Sequence, residues 1–354
     1  AEPLAVDREV LVRGVVGQPN AITRAANGSF VVAGVSGVGW AFSTTADGKL
    51  LWKYQEAADA SSRTPYQSEF RGAVALTNGN VLLCGETHSA DGGGLIVVLD
   101  PSGQVVERRL LFPKQDRRFF SSGFNRCLRW NKDILLMGHA NDGVHAGSSW
   151  LVGLDQNGAQ QWEIVSAEAP AGPAVELEGH DLVVMGGAVA GGVRVSRVNQ
   201  RFETVATRVI GGSGFFYALL RSVEPARGVE VVSYDRGGKA TLYTLNEDLK
   251  DKEPPRALET IDIDNGCGYV LADGSLALFG NVMVGGVYVA AVAHMGQGKA
   301  TATHVFENFS GTGVVSLAVR DAIPVSQTGF VSVRDRASRN ADEAGIVMSW
   351  GKFE

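Results

Sequence analysis

Cysteine is nearly missing from this chain, with three in 354 residues. Cys84, Cys127 and Cys267 are widely separated and show no metal-ligand spacing. At most one disulfide can form, bridges do not hold the fold, and the three are expected as small apolar fillers inside strands. Proline is scarce too, 11 against 45 glycines, which excludes a Pro/Gly low-complexity chain. Basic residues are outnumbered, and the net charge of −6 leaves no concentrated basic surface for a nucleic acid. No apolar run approaches the roughly 20 residues that cross a bilayer as a helix, so no transmembrane segment is expected. Apolar residues do not recur at the helical period of 3.6, which excludes a helical solenoid. The standard catalytic patterns are also absent. Gly211-Gly212-Ser213-Gly214-Phe215 fails the G-x-S-x-G elbow at its last position, and there is no H-E-x-x-H, P-loop, C-x-x-C or dinucleotide fingerprint.

What the chain has is hydrophobicity, 45% of residues, and glycine at about twice its average frequency. That pairing points to many short buried strands joined by tight turns. One pattern recurs, a turn followed by an apolar strand that often ends in glycine. It reads NGSFVVAG to Gly34, NGNVLLCG to Gly85, NKDILLMG to Gly138 and GHDLVVMG to Gly186. Weaker copies end at Ser233, Gly280 and Arg334, so that seven copies spaced 47 to 54 residues apart account for the chain. A second element follows each copy, a strand, a turn and another strand, as in GLIVVLDPSGQVVERRLLF from Gly94 to Phe112. Trp40 and Trp150 precede their turn glycines, Gly48 and Gly158, by eight residues, and Trp52 and Trp162 follow them by four. Tryptophans in so regular a register are expected to pack between repeats rather than to stack on a ligand.

An apolar stretch before each signature brings the count to four strands per repeat, a to d. Four strands in about 50 residues is the mark of a β-propeller blade. The expected fold is all-β, one domain over residues 1–354, a seven-bladed β-propeller with four antiparallel strands per blade. The blades run approximately over 18–56, 68–113, 121–166, 172–210, 215–262, 266–307 and 313–354. The seventh lacks a fourth strand, and Glu9–Val16 belongs to no blade of its own. The N-terminal segment 9–17 is therefore expected to complete the last blade and hide its open edge.

The fuller repeat resembles the β-propeller repeats of exported bacterial proteins. Leu99-Asp100-Pro101-Ser102-Gly103 and Leu154-Asp155-Gln156-Asn157-Gly158 with Trp162 carry the resemblance best, while units four to seven lack the Leu-Asp and Trp elements. More distantly it is similar to the tryptophan-docking repeats of quinoprotein dehydrogenases, without a cofactor constellation to match. The resemblance implies the fold and leaves function open. The opening Ala1-Glu2-Pro3-Leu4 has the look of a chain after signal-peptide cleavage, so a periplasmic or secreted bacterial protein is expected.

Polar residues collect in the b–c and d–a loops of blades two and three. Blade two offers Glu86, His88 and Asp91, and blade three His139, Asn141, Asp142 and His145. Such groups can bind a divalent metal, but no spacing motif supports one, and they read first as solvated turn residues; no cofactor or metal is expected. The d–a loop between these blades carries Arg117, Arg118, Phe119 and Phe120, and Arg71 and Arg126 begin the adjacent a strands. Arginine beside aromatics suits an anionic or aromatic-rich partner. Arg334, Asp335, Arg336 and Arg339 in blade seven read as a solvated charge run. The expectation is a monomeric, non-enzymatic binding or scaffold propeller. It presents the b–c/d–a loop face to a protein or carbohydrate through Arg71, His88, Arg117, Arg118, Phe119, Phe120, Arg126, His139, Asp142 and His145. The alternative is a periplasmic enzyme, a hydrolase, lyase or dehydrogenase subunit, with a site on the same face.

Overall fold

The computed structural model describes residues 4–58, 67–88, 92–114, 121–141, 148–166, 172–189, 192–211, 216–222, 228–234, 239–258, 262–284, 287–296, 299–306, 315–338 and 344–353. Among them the chain forms 28 strands and no helix, so none long and apolar enough to cross a membrane. The fold is a seven-bladed β-propeller of four-stranded antiparallel blades. Two compact units share the chain, residues 17–172, and residues 1–16 with 173–354. Strand β1 (Leu4–Arg13) belongs to the second of these.

The first unit holds three blades. Blade one is β2 (Gln18–Arg24), β3 (Phe30–Ser36), β4 (Val38–Thr44) and β5 (Leu50–Gln55). Blade two is β6 (Ser68–Ala75), β7 (Val81–Thr87), β8 (Gly94–Leu99) and β9 (Val105–Leu111). Blade three is β10 (Ser121–Trp130), β11 (Asp133–Asn141), β12 (Ser148–Leu154) and β13 (Gln160–Ser166). Burial follows the sequence pattern. The unbroken apolar runs of β7 and β8 are buried along their whole length, whereas β9 leaves Val105 and Val106 exposed. A strand covered on both faces has no polar face to present.

The core lies between blades. One cluster joins Val31, Ala33 and Ala41 of blade one to Phe70, Leu83 and Leu95 of blade two. Another joins Leu82, Cys84 and Ile96 to Phe124, Leu136 and Trp150 of blade three. Two tryptophans pack between blades as expected. Trp52 donates its indole N–H to the Pro101 carbonyl at 3.0 Å and covers Gly103, and Trp150 stacks on Phe124 at 4.4 Å above Gly94. The other two contact their own blades, Trp162 over Gly153 and edge-on to Trp130, and Trp40 over Gly34 and beside Phe42. A common register therefore does not give a common neighbour.

The glycine that ends the signature in these three blades has a steric cause. In every blade of this unit the a strand carries a β-bulge at one residue, Asn20, Arg71 or Asn125, opposite Gly34, Gly85 or Gly138. The bulged strand runs so close that a Cβ on Gly85 would stand 1.8 Å from the Glu69 carbonyl oxygen, and one on Gly138 equally close to that of Gly123. Only glycine fits. The bulge also re-aims its own side chain. The Asn20 amide donates to the Phe70 carbonyl of blade two at 2.8 Å, and Arg71 reaches Asn125 of blade three at 3.4 Å.

The second unit holds four blades. Blade four is β14 (Ala174–Glu176), β15 (Leu182–Val189), β16 (Gly192–Val198) and β17 (Thr204–Ile210). Blade five is β18 (Phe216–Ser222), β19 (Gly228–Tyr234), β20 (Ala240–Asn246) and β21 (Arg256–Leu258). Blade six is β22 (Asp262–Val270), β23 (Leu276–Val284), β24 (Val287–Gly296) and β25 (Lys299–Val305). A short parallel pairing of Arg221 with Tyr269 and Ser222 with Val270 joins the inner strands of blades five and six. Blade seven is β26 (Val315–Pro324), β27 (Gly329–Ala337) and β28 (Gly345–Phe353), completed on its outer side by β1.

That closure is the expected one with a longer reach. The register runs from Leu4 opposite Phe353 to Arg13 opposite Gly345, so the strand begins before Glu9 and ends before Val16. The charge run of blade seven needs correction. Arg334 is 1% exposed, lies over the Phe306 ring at 4.4 Å and pairs with Glu9 of β1 at 2.7 Å. It occupies the place of the signature glycine, and its guanidinium turns inward to a carboxylate on the closing strand. Burial also pushes the Asp335 carboxyl above its usual range. Arg339 lies outside the described residues.

Candidate functional site

Two consecutive signature strands deliver polar side chains to neighbouring positions. Glu86 follows Gly85 on β7 and His139 follows Gly138 on β11, the same register position in blades two and three. Across the ladder Glu86 faces Glu69 of β6, while His139 faces Gly123 of β10. Gly123 makes room for its neighbour, since a Cβ there would stand 2.2 Å from Glu86 Oε2. One residue beyond β7, the His88 backbone N–H donates to the Gln67 carbonyl at 2.8 Å, which carries the β6–β7 pairing past Ser68 and fixes the imidazole above Glu69.

The result is a pair of carboxyl groups under three nitrogen-bearing side chains. Arg71, aimed by its bulge, holds both. Its Nε donates to Glu69 Oε1 at 2.8 Å, and its Nη2 reaches that same oxygen and Glu86 Oε1, the latter at 3.0 Å. His88 Nε2 lies 3.5 Å from Glu69 Oε1 and 3.8 Å from Glu86 Oε1. His139 Nε2 lies 3.6 Å from Glu86 Oε2. The Glu69 and Glu86 side chains are 14% and 8% exposed, against 39% for Arg71, 38% for His88 and 35% for His139. Acceptors lie beneath and nitrogens face solvent.

Two carboxyls in contact cannot both ionise freely. Burial and a hydrogen bond to Glu69 push the Glu86 carboxyl up to about 7, against the pull of Arg71. Burial acts on Glu69 as well, but the hydrogen bonds from Glu86 and Arg71 outweigh it and hold that carboxyl below its usual range. Below about pH 7 Glu86 thus keeps a proton, shared with the Glu69 carboxylate. Burial, then the charges of Arg71 and His88, hold the His139 imidazole below its ordinary value. Glu69, Glu86 and His88 place one ligand atom each within 4.8 Å of one another, a set that can hold a divalent cation if Arg71 and the shared proton give way.

Of the residues expected at the site, Arg71, His88 and His139 come together here, with Glu86 beneath them. Arg126 follows the bulged Asn125 on β10, and its charge acts on the Cys84 thiol. Arg117, Arg118, Phe119, Phe120, Asp142 and His145 lie outside the described residues, as does Asp91. Glu69 went unrecognised in the sequence. Its signal was present, because once the a and b strands are paired on either side of the bulge, Glu69 falls opposite Glu86.

No family model matches the chain, and no curated protein matches it in sequence. Solved propellers match it in fold. BBS1N, solved in complex with ARL6DN, shares 9% identity over 100% of this chain and 97% of its own, with a TM-score of 0.58. The Dos1 propeller shares 10% identity over 99% of this chain and 96% of its own, with a TM-score of 0.57. At such identities the likeness is one of fold.

Proposed function

We propose that this is a non-enzymatic binding propeller that meets a protein partner through the b–c/d–a loop end of blades two and three. One observation carries the reading. Arg71, His88 and His139, from two adjacent blades, converge as a half-exposed donor surface held in place by the buried Glu69–Glu86 pair. Donors fixed from below lose little freedom on binding, and arginine is among the residues that dominate interface energy. The BBS1N propeller, solved in complex with ARL6DN, supports a protein rather than a carbohydrate as the partner. The likeness of the repeats to exported bacterial propellers supports a periplasmic or extracellular location, and the binding unit is proposed to be a monomer.

The test is site-specific photocrosslinking in the source cell. A photoreactive residue at His88 or His139 is expected to capture one partner. The same probe at the c–d turn residues Asp47 or Asp155 is expected to capture nothing. Crosslinks from the turns alone would move the site to the other face, and capture of glycan alone would replace the protein by a carbohydrate. The enzyme reading has one feature in its favour, a carboxyl titrating near neutrality beside two imidazoles. Turnover of glycoside or ester substrates that vanishes in Glu86→Gln would favour it.

A further inference from the structure

Cys84 and Cys127 are remote in sequence and meet in one place. Cys84, on β7, is fully buried, and Cys127, on β10, is 7% exposed. Both belong to the apolar cluster between blades two and three. Gly72 of β6, the register partner of Cys84, passes beside them. A Cβ on Gly72 would stand 2.7 Å from the Cys84 sulfur and 2.7 Å from the Cys127 sulfur. The two sulfurs therefore border the same small space, and burial, then the neighbouring Cys127 side chain, holds the Cys84 thiol above its usual range. Fillers chosen for volume alone need not aim at one point from two blades.

We infer that Cys84 and Cys127 form a disulfide that ties blade two to blade three when the chain folds in the presence of a disulfide oxidant. One cysteine, as thiolate, attacks a sulfur of the oxidant's disulfide and expels a thiol. The second attacks the resulting mixed disulfide and expels the other. The two cysteines together lose two protons and two electrons, and the oxidant's disulfide becomes two thiols. Because both cysteines are buried in the folded chain, the bond forms before the blades close over it. Cys267, on β22 of the other unit, takes no part. This inference stands apart from the binding reading.

The test counts thiols. The full chain is unfolded with reductant, refolded in mixed oxidised and reduced glutathione, then unfolded again in urea without reductant and alkylated there, digested and analysed by mass spectrometry. The expected result is a peptide linked through Cys84 and Cys127 and one alkylated cysteine per chain, Cys267. Cys267→Ala keeps the link. The oxidised protein unfolds at a higher urea concentration than the reduced one, and that difference vanishes in Cys127→Ala. Chain secreted into an oxidising compartment gives the same count without refolding. Three alkylated cysteines in protein whose circular dichroism is that of a folded β chain would overturn the inference, as would any bond that includes Cys267.

Discussion

Arg334 and Glu9 are 325 positions apart in sequence and 2.7 Å apart in space. Their ion pair crosses the last blade from its second strand to its outermost one, with Ser349 of β28 between them accepting from Arg334 and donating to Glu9 at 3.0 Å. Arg8, next to Glu9, lies over the Trp350 ring at 4.2 Å. The N-terminal strand is thus fastened by side chains as well as by its ladder. The fastening is asymmetric, since Arg334 is 1% exposed and Glu9 42%.

Glu9→Ala leaves that guanidinium buried with its carboxylate partner gone, and the chain is expected to lose about 2 kcal/mol in urea unfolding. The double variant Glu9→Ala with Arg334→Met removes both charges and is expected to recover most of the loss. Equal losses in the two variants would show that the pair adds nothing beyond packing. Deleting residues 1–13 is a stronger test of closure. It bares the edge of β28, and the truncated chain is expected to aggregate and to melt well below the parent.

The carboxyl pair makes stability depend on pH. The folded-state pKa of Glu86, about 7, lies above the ordinary 4.5, so the folded chain binds the proton more tightly than the unfolded chain does. That contribution is fully present below pH 4.5 and is lost as pH rises toward 7. His139, held below its ordinary value, works the other way and adds stability as pH rises toward 6.5. The lowered Glu69 carboxyl adds stability that is lost only below the ordinary carboxylate range. Comparison with Glu86→Gln isolates the first effect. Between pH 5 and 8 the stability of the variant relative to the parent is expected to rise by about 1–3 kcal/mol. A relative stability that does not change with pH would show that Glu86 titrates as an ordinary glutamate.

The fold was legible because blade strands repeat their own reason for existing. In the first three blades a turn, four apolar residues and a glycine meet a bulged a strand, so the word recurs with the geometry. The turns were less legible. Asp100 and Asp155 each accept backbone N–H bonds from two and four residues ahead, within the Leu-Asp-x-x-Gly pattern. Asn199 and Asn246 accept the same two bonds, with Phe202 and Leu249 at the positive-φ position that glycine holds elsewhere. The later blades lost the letters and kept the turn, because an asparagine amide oxygen serves as well as a carboxylate. The site was half legible. Arg71, His88 and His139 stood out as polar residues in an apolar repeat. So did Glu86, but Glu69 did not, because its pairing with Glu86 depends on where the bulge shifts the register. Arg334 misled for a related reason, since nothing local in Arg-Asp-Arg says that a carboxylate from the far end of the chain is waiting beneath it.

The signature glycines offer the sharpest check on this account of the repeat. Gly85→Ala would drive a Cβ to 1.8 Å from the Glu69 carbonyl oxygen, an atom of the neighbouring strand's backbone. The a strand would have to leave its bulge, and Arg71 and Glu69 would move with it. Gly79→Ala is the control. Gly79 sits in the a–b turn of the same blade at φ +89°, where a Cβ meets nothing closer than 3.8 Å. It suffers conformational strain alone, which costs about 1 kcal/mol. Gly85→Ala is expected to cost about 3 kcal/mol or more, or to prevent folding, because its Cβ would meet backbone atoms rather than a side chain that can swing away. Thermal melts of the two variants side by side decide the matter. Similar melting temperatures would mean that the a strand yields to the added methyl at little cost, and the close approach of the bulged strand would no longer explain why the repeat ends as it does.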